Sequence, residues 1–145
     1  MARSGRQRGA VGSSEGSARR HLCRAGAWLG DQDETMGNLI HRDETPITDA
    51  GHGITRQVAV GNKMLLAVVT VQPGCSVPAH SHVHEQIGYV ASGRAVFRTG
   101  DSERELGPGD MYTIPGGEVH SVTVISEEPG VFVDVFNPVR EEYIV

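Results

Sequence analysis

From Ile40 onward, apolar residues come in short runs or on alternate positions, broken about every ten residues by glycine, proline, asparagine or aspartate. Alternation puts neighbouring side chains on opposite faces of an extended chain, so "RAVFRT" and "SVTVI" read as strands with one buried and one wetted face. The pattern predicts strands at 55–60, 63–71, 80–82, 87–91, 94–99, 103–106, 111–114, 119–125 and 131–136, with "GN" as a two-residue hairpin turn after the first. Only "PVREEYIV" suits a helical turn, with Pro138 at a tolerated early position. Short strands at regular intervals without a long helical pattern imply an all-β sandwich or barrel. Nineteen glycines and seven prolines agree with many tight turns.

The first part of the chain differs. Residues 1–38 are rich in glycine, serine and arginine and lack either periodicity, so they are expected to form a disordered leader before one domain at 39–145. Met36 offers an alternative start, and a basic arm or targeting peptide is the functional reading of the same segment. Six arginines against Glu15 give residues 1–30 a charge of +5 in a chain of net −5, leaving −10 for the remainder. An acidic body is a poor footprint for nucleic acid, so no nucleic-acid partner is expected. Cys23 and Cys75 make no disulfide framework. With no apolar run of membrane length and no secretory apolar core near the start, no membrane partner is expected and the cytoplasm is the default compartment.

The chemistry is concentrated in "HSHVHEQIGYVASG". On a strand His80 and His82 project to one face, and His120 opens another predicted strand. Three imidazoles suit one divalent transition ion, such as Zn, Ni, Mn, Fe or Cu, better than Ca or Mg. His84, Glu85 and Gln86 stand close by as further candidates. In "VFVDVFNPVR", Asp134 shares parity with Phe132 and Phe136. It is either an inward acid or base, or an outward residue, or a structural partner of Arg94 or Arg98.

Here the sequence resembles the cupins. Their first motif, G-x5-H-x-H-x3-E-x6-G, is met by Gly74, His80, His82 and Gly93 with Gln86 in the glutamate place; their second, G-x5-P-x-G-x2-H, is met by Gly109, Pro115, Gly117 and His120. The resemblance covers about residues 55–136 and implies a double-stranded β-barrel, the cupin jelly roll, with a metal held inside by His80, His82, Gln86 and His120. The count back from Gly93 favours Gln86 over Glu85, which a bulge would still allow to ligate; Gln86 as a mere cavity-lining amide also stays open. His84 has no ligand role in the motif and is expected beside the ligands or at the cavity mouth. Three imidazoles and an amide are all neutral, so the ion keeps its full charge. That favours Lewis-acid chemistry over the oxygen activation usual for two histidines and a carboxylate.

A closer resemblance runs from about Gln57 to Tyr143. "HSHVHEQIGYVASGRAVF", "PGDMYTIPGGEVH" and "DVFNPVREEY" are similar to the small cupins of pectin and alginate breakdown, which convert 4,5-unsaturated uronates to linear keto sugars. That implies activity carried by Asp134, Phe136 and Arg140, a small carboxylate sugar as substrate, and a homodimer with the strand near 55–60 as exchange element. Arg140 would grip the substrate carboxylate, or else pair with Glu141 or Glu142 at the surface; Phe136 and Tyr89 would form an apolar wall or simply core. An Fe(II)-dependent dioxygenase and a non-catalytic sugar- or effector-binding cupin are the alternative functions.

Overall fold

A computed structural model describes residues 28–29 and 37–144, and the rest of the expected leader lies outside the described residues. The strands are β1 (Trp28–Leu29), β2 (Thr48–Gly51), β3 (Ile54–Val60), β4 (Leu65–Val71), β5 (Ser76–His80), β6 (Glu85–Ser92), β7 (Ala95–Thr99), β8 (Ser102–Leu106), β9 (Met111–Ile114), β10 (His120–Val124) and β11 (Gly130–Asn137). Short 3-10 turns occupy Arg42–Glu44 and Glu141–Tyr143. The larger sheet runs β1-β3-β4-β11-β6-β9 with β2 also on β3, and the smaller runs β5-β10-β7-β8. This is the two-sheet all-β barrel that the alternation implied.

Alternation becomes packing in the central strands. In β4, β6 and β11 every second residue is buried, and Leu65, Val90, Phe132 and Phe136 form the core with Phe97 and Val124 of the smaller sheet. Burial of such side chains contributes roughly 1.5–3 kcal/mol each. Across the larger sheet the cross-strand register makes two inward rows that matter below. One reads Val60, Leu65, Phe136, Gln86, Ile114; the next reads Val58, Ala67, Asp134, Gly88, Tyr112.

Two expectations change. The β3–β4 connection is a four-residue loop from Gly61 to Met64, closed by Gly61 N–H donating to the Met64 carbonyl at 2.8 Å, so "GN" is only its first half. His80 is the last residue of β5 and His82 lies beyond it, so the two do not share a strand. β3 is paired along β4 on one side and, on the other, with β2 at 54–56 and with β1 at 59–60. The β1 pairing also places Trp28–Leu29, expected in the leader, against Ala59–Val60. Among the described residues no helix is long and apolar enough to cross a membrane.

Candidate metal centre and acid–base site

His80, His82 and His120 come together, their candidate ligand atoms all within 4.8 Å of one another. His80 and His120 are direct cross-strand partners on β5 and β10. His82 is brought in by the turn that carries the second motif. Gly117 N–H donates to the His82 carbonyl at 2.7 Å, and Gly116 packs on the Val83 carbonyl, where a Cβ would overlap it. At φ +87° Gly117 occupies the left-handed region that glycine favours. The spacing of the two motifs is thereby explained by how they lock together.

The tautomers are fixed by backbone carbonyls. Nδ1 of His80 faces Pro78 O at 2.8 Å, that of His82 faces His84 O at 3.0 Å, and that of His120 faces Glu118 O at 2.9 Å. A carbonyl can only accept, so each Nδ1 carries the proton and each Nε2 presents a lone pair. Burial, with Arg140 and His120 next in weight, holds the His82 pKa down at about 4. Burial likewise lowers that of His120, so the neutral, ligating forms prevail.

Gln86 stands beside the three imidazoles. It is 7% exposed, while its neighbour Glu85 is exposed on the outer face of β6. The Gln86 amide nitrogen donates to Asp134 Oδ1 at 2.9 Å, which turns its Oε1 toward His82 Nε2 at 3.2 Å. Two lone-pair acceptors then face each other with no proton between them, an arrangement that fits a shared cation. These residues therefore suit a divalent transition ion held by three imidazole nitrogens and an amide oxygen. His84 is 6% exposed and stands outside the cluster. Its carbonyl orients His82, and its own Nδ1 is buried with no hydrogen-bond partner among the described residues.

Asp134 faces inward and is 5% exposed. Arg94 pairs with Glu105 at 2.6 Å and Arg98 with Glu103 at 2.5 Å on the β7–β8 hairpin, so neither meets Asp134. Burial raises the Asp134 pKa above the carboxylate value, against the lowering effects of the Tyr112 and Gln86 hydrogen bonds and of Arg140. Tyr112 donates to its Oδ1 at 2.5 Å. Arg140 lines the same cavity as His80, Gln86, His120, Asp134 and Phe136. Its guanidinium carbon lies 5.2 Å from the Phe136 ring centre and 4.3 Å from that of Tyr143, and its Nε is buried with no hydrogen-bond partner among the described residues. No salt bridge to Glu141 or Glu142 forms among the described residues. Phe136 packs edge-on to His82, at 5.5 Å between ring centres. Tyr89 is on the outer face, 44% exposed, and is no part of the wall.

Tyr112, Tyr143 and Arg56 escaped the sequence reading. Arg56 lies over Tyr143 at 4.1 Å. A signal for Tyr112 did exist, since Gly88 inside a strand marks a close approach.

Residues 67–136 match the Cupin domain family. The chain is 33% identical over 104 residues to the pectin degradation protein KdgF of Dickeya dadantii, covering 70% of this chain and 94% of that protein. The chain belongs to the cupins. Among solved structures, that of KdgF from Halomonas sp. superposes on this cupin with a TM-score of 0.68 at 27% identity, covering 72% of this chain and 98% of that one. The gentisate 1,2-dioxygenase of Haloferax sp. is 27% identical over 125 residues, which span 78% of this cupin but 35% of that longer protein.

Proposed function

We propose that this cupin is a metal-dependent enzyme that converts a 4,5-unsaturated uronate to its linear keto form. The observation that carries the proposal is a buried, protonatable carboxyl, Asp134, hydrogen-bonded to Gln86 beside three converging imidazoles. Its setting is a chain one-third identical to a pectin degradation protein.

His80, His82, His120 and Gln86 would hold a divalent transition ion, which would supply Lewis-acid polarisation of a substrate oxygen. Arg140, which lines the cavity and whose Nε has no hydrogen-bond partner among the described residues, grips the substrate carboxylate through its planar fork. Phe136 forms an apolar wall against His82 and keeps water from the ring. Asp134 carries the proton that the alkene carbon takes as the ring opens, and burial keeps that proton available well above the usual carboxylate range.

The test is direct. Metal-loaded protein incubated with unsaturated galacturonate should remove alkene absorbance faster than the spontaneous rate, and equally fast without dioxygen. A rate equal to the spontaneous one would overturn the proposal. Dependence on dioxygen would replace it with oxygenase chemistry.

A further inference from the structure

We infer that Tyr112 is a positioning residue for the Asp134 carboxyl, reaching it across a strand position that only glycine leaves open. The inference rests on the reading of Asp134 as the proton carrier. Asp134, Gly88 and Tyr112 occupy one cross-strand row on β11, β6 and β9. With a side chain in the middle place the outer two could not meet. A Cβ at Gly88 would overlap the Tyr112 ring itself, so the phenol lies over Gly88 and ends on Asp134.

Two donors converge on the same oxygen. Tyr112 O–H at 2.5 Å and the Gln86 amide at 2.9 Å both serve Oδ1, and Oδ2 takes neither bond. An oxygen that accepts two hydrogen bonds is the poorer place for a proton, so the acid proton sits on Oδ2. When that proton leaves, the charge on the carboxylate meets two donors already in place, which costs no reorganisation.

The step balances as an isomerisation. The anomeric O–H and the ring C–O bond break and a carbonyl forms at the anomeric carbon. The ring oxygen becomes the new ketone as the alkene carbon takes the Asp134 proton, and the proton lost from the anomeric hydroxyl restores Asp134. Gln86 thus links the two halves of the site, with its oxygen toward the imidazoles and its nitrogen toward the acid.

The test is Tyr112→Phe in the metal-loaded protein. Phenylalanine keeps the ring that packs 4.6 Å from Phe97, centre to centre. The expected result is a kcat lower by about tenfold to a hundredfold, as for loss of one charge-assisted hydrogen bond, with KM and bound metal unchanged. Wild-type kcat in this variant would overturn the inference, as would a loss of rate that merely follows loss of metal or a rise in KM. Should the variant fail to fold, 3-fluorotyrosine placed at 112 alters the acidity of the donor at nearly constant size; kcat should then move while KM does not, and an unchanged kcat would overturn the inference. Wild-type protein without turnover would remove the functional reading and this inference with it. Turnover with an indifferent Tyr112 would remove the inference alone.

Discussion

At the scale of single residues, Gln86 carries the most. The amide supplies an oxygen on one side and a donor on the other, and no carboxylate can do both while ionised. Gln86→Glu would bring a second carboxyl to within hydrogen-bond distance of Asp134, where two like charges resist joint ionisation. The expected outcome is retained or tighter metal binding by calorimetry with kcat reduced by roughly a hundredfold or more. A variant that keeps both metal and kcat would show that the amide donor is idle. Arg140→Lys makes a separate test at the same scale. A lysine keeps the charge but loses the planar fork, so KM should rise by about tenfold while metal content stays constant. The count back from Gly93 in the cupin motif favoured Gln86 over Glu85, and the structure buries Gln86 while Glu85 is exposed on the outer face of β6. Alternation could not choose a face for Asp134, since a charged residue among phenylalanines contradicts the rule that placed the rest.

At the scale of elements, strand positions were legible from short apolar runs between turn residues, and burial alternates along β4, β6 and β11 even though β4 and β11 are near-continuous apolar runs and β6 turns Ile87 and Tyr89 outward. What could not be read was how elements meet. His80 and His82 were expected on one strand, yet His82 lies past the end of β5 and is carried in by the backbone of Gly116 and Gly117, an interaction of two loops that no local pattern encodes. Gly88 is the instructive middle case, since its place in a strand interior gives a local clue but its partner lies on another strand. Gly88→Ala would force the Tyr112 ring aside between two paired neighbours, β9 and β11. Overpacking of this kind costs roughly 1–3 kcal/mol, measurable as a lower midpoint in denaturant. A midpoint equal to wild type would mean that β9 yields more easily than its pairing suggests.

At the scale of the whole molecule, the site makes stability depend on pH with two opposing signs. The His82 pKa is about 4 in the folded chain and 6.5 as its ordinary value, so between these limits the unfolded chain binds the extra proton. Stability of the metal-free protein therefore falls as pH drops from 6.5 and levels off near 4, with His120 adding in the same direction. Asp134 acts oppositely. Its raised pKa means that above 3.8 the unfolded chain gives up a proton the folded chain keeps, so this group costs stability as pH rises through its folded value. Thermal melts of the metal-free protein from pH 4.5 to pH 7 should show a flatter acid limb in His82→Ala and a steeper one in Asp134→Asn. Identical limbs in all three proteins would mean that these groups are not held as the structure places them. Adding a divalent transition ion should raise the melting temperature at neutral pH, where Nε2 of His82 and of His120 bears no proton. An excess of one hundred times Kd would contribute about 2.7 kcal/mol. His120→Ala breaks the three-imidazole cluster and should abolish that rise, and a full metal-induced shift in this variant would place the ion elsewhere.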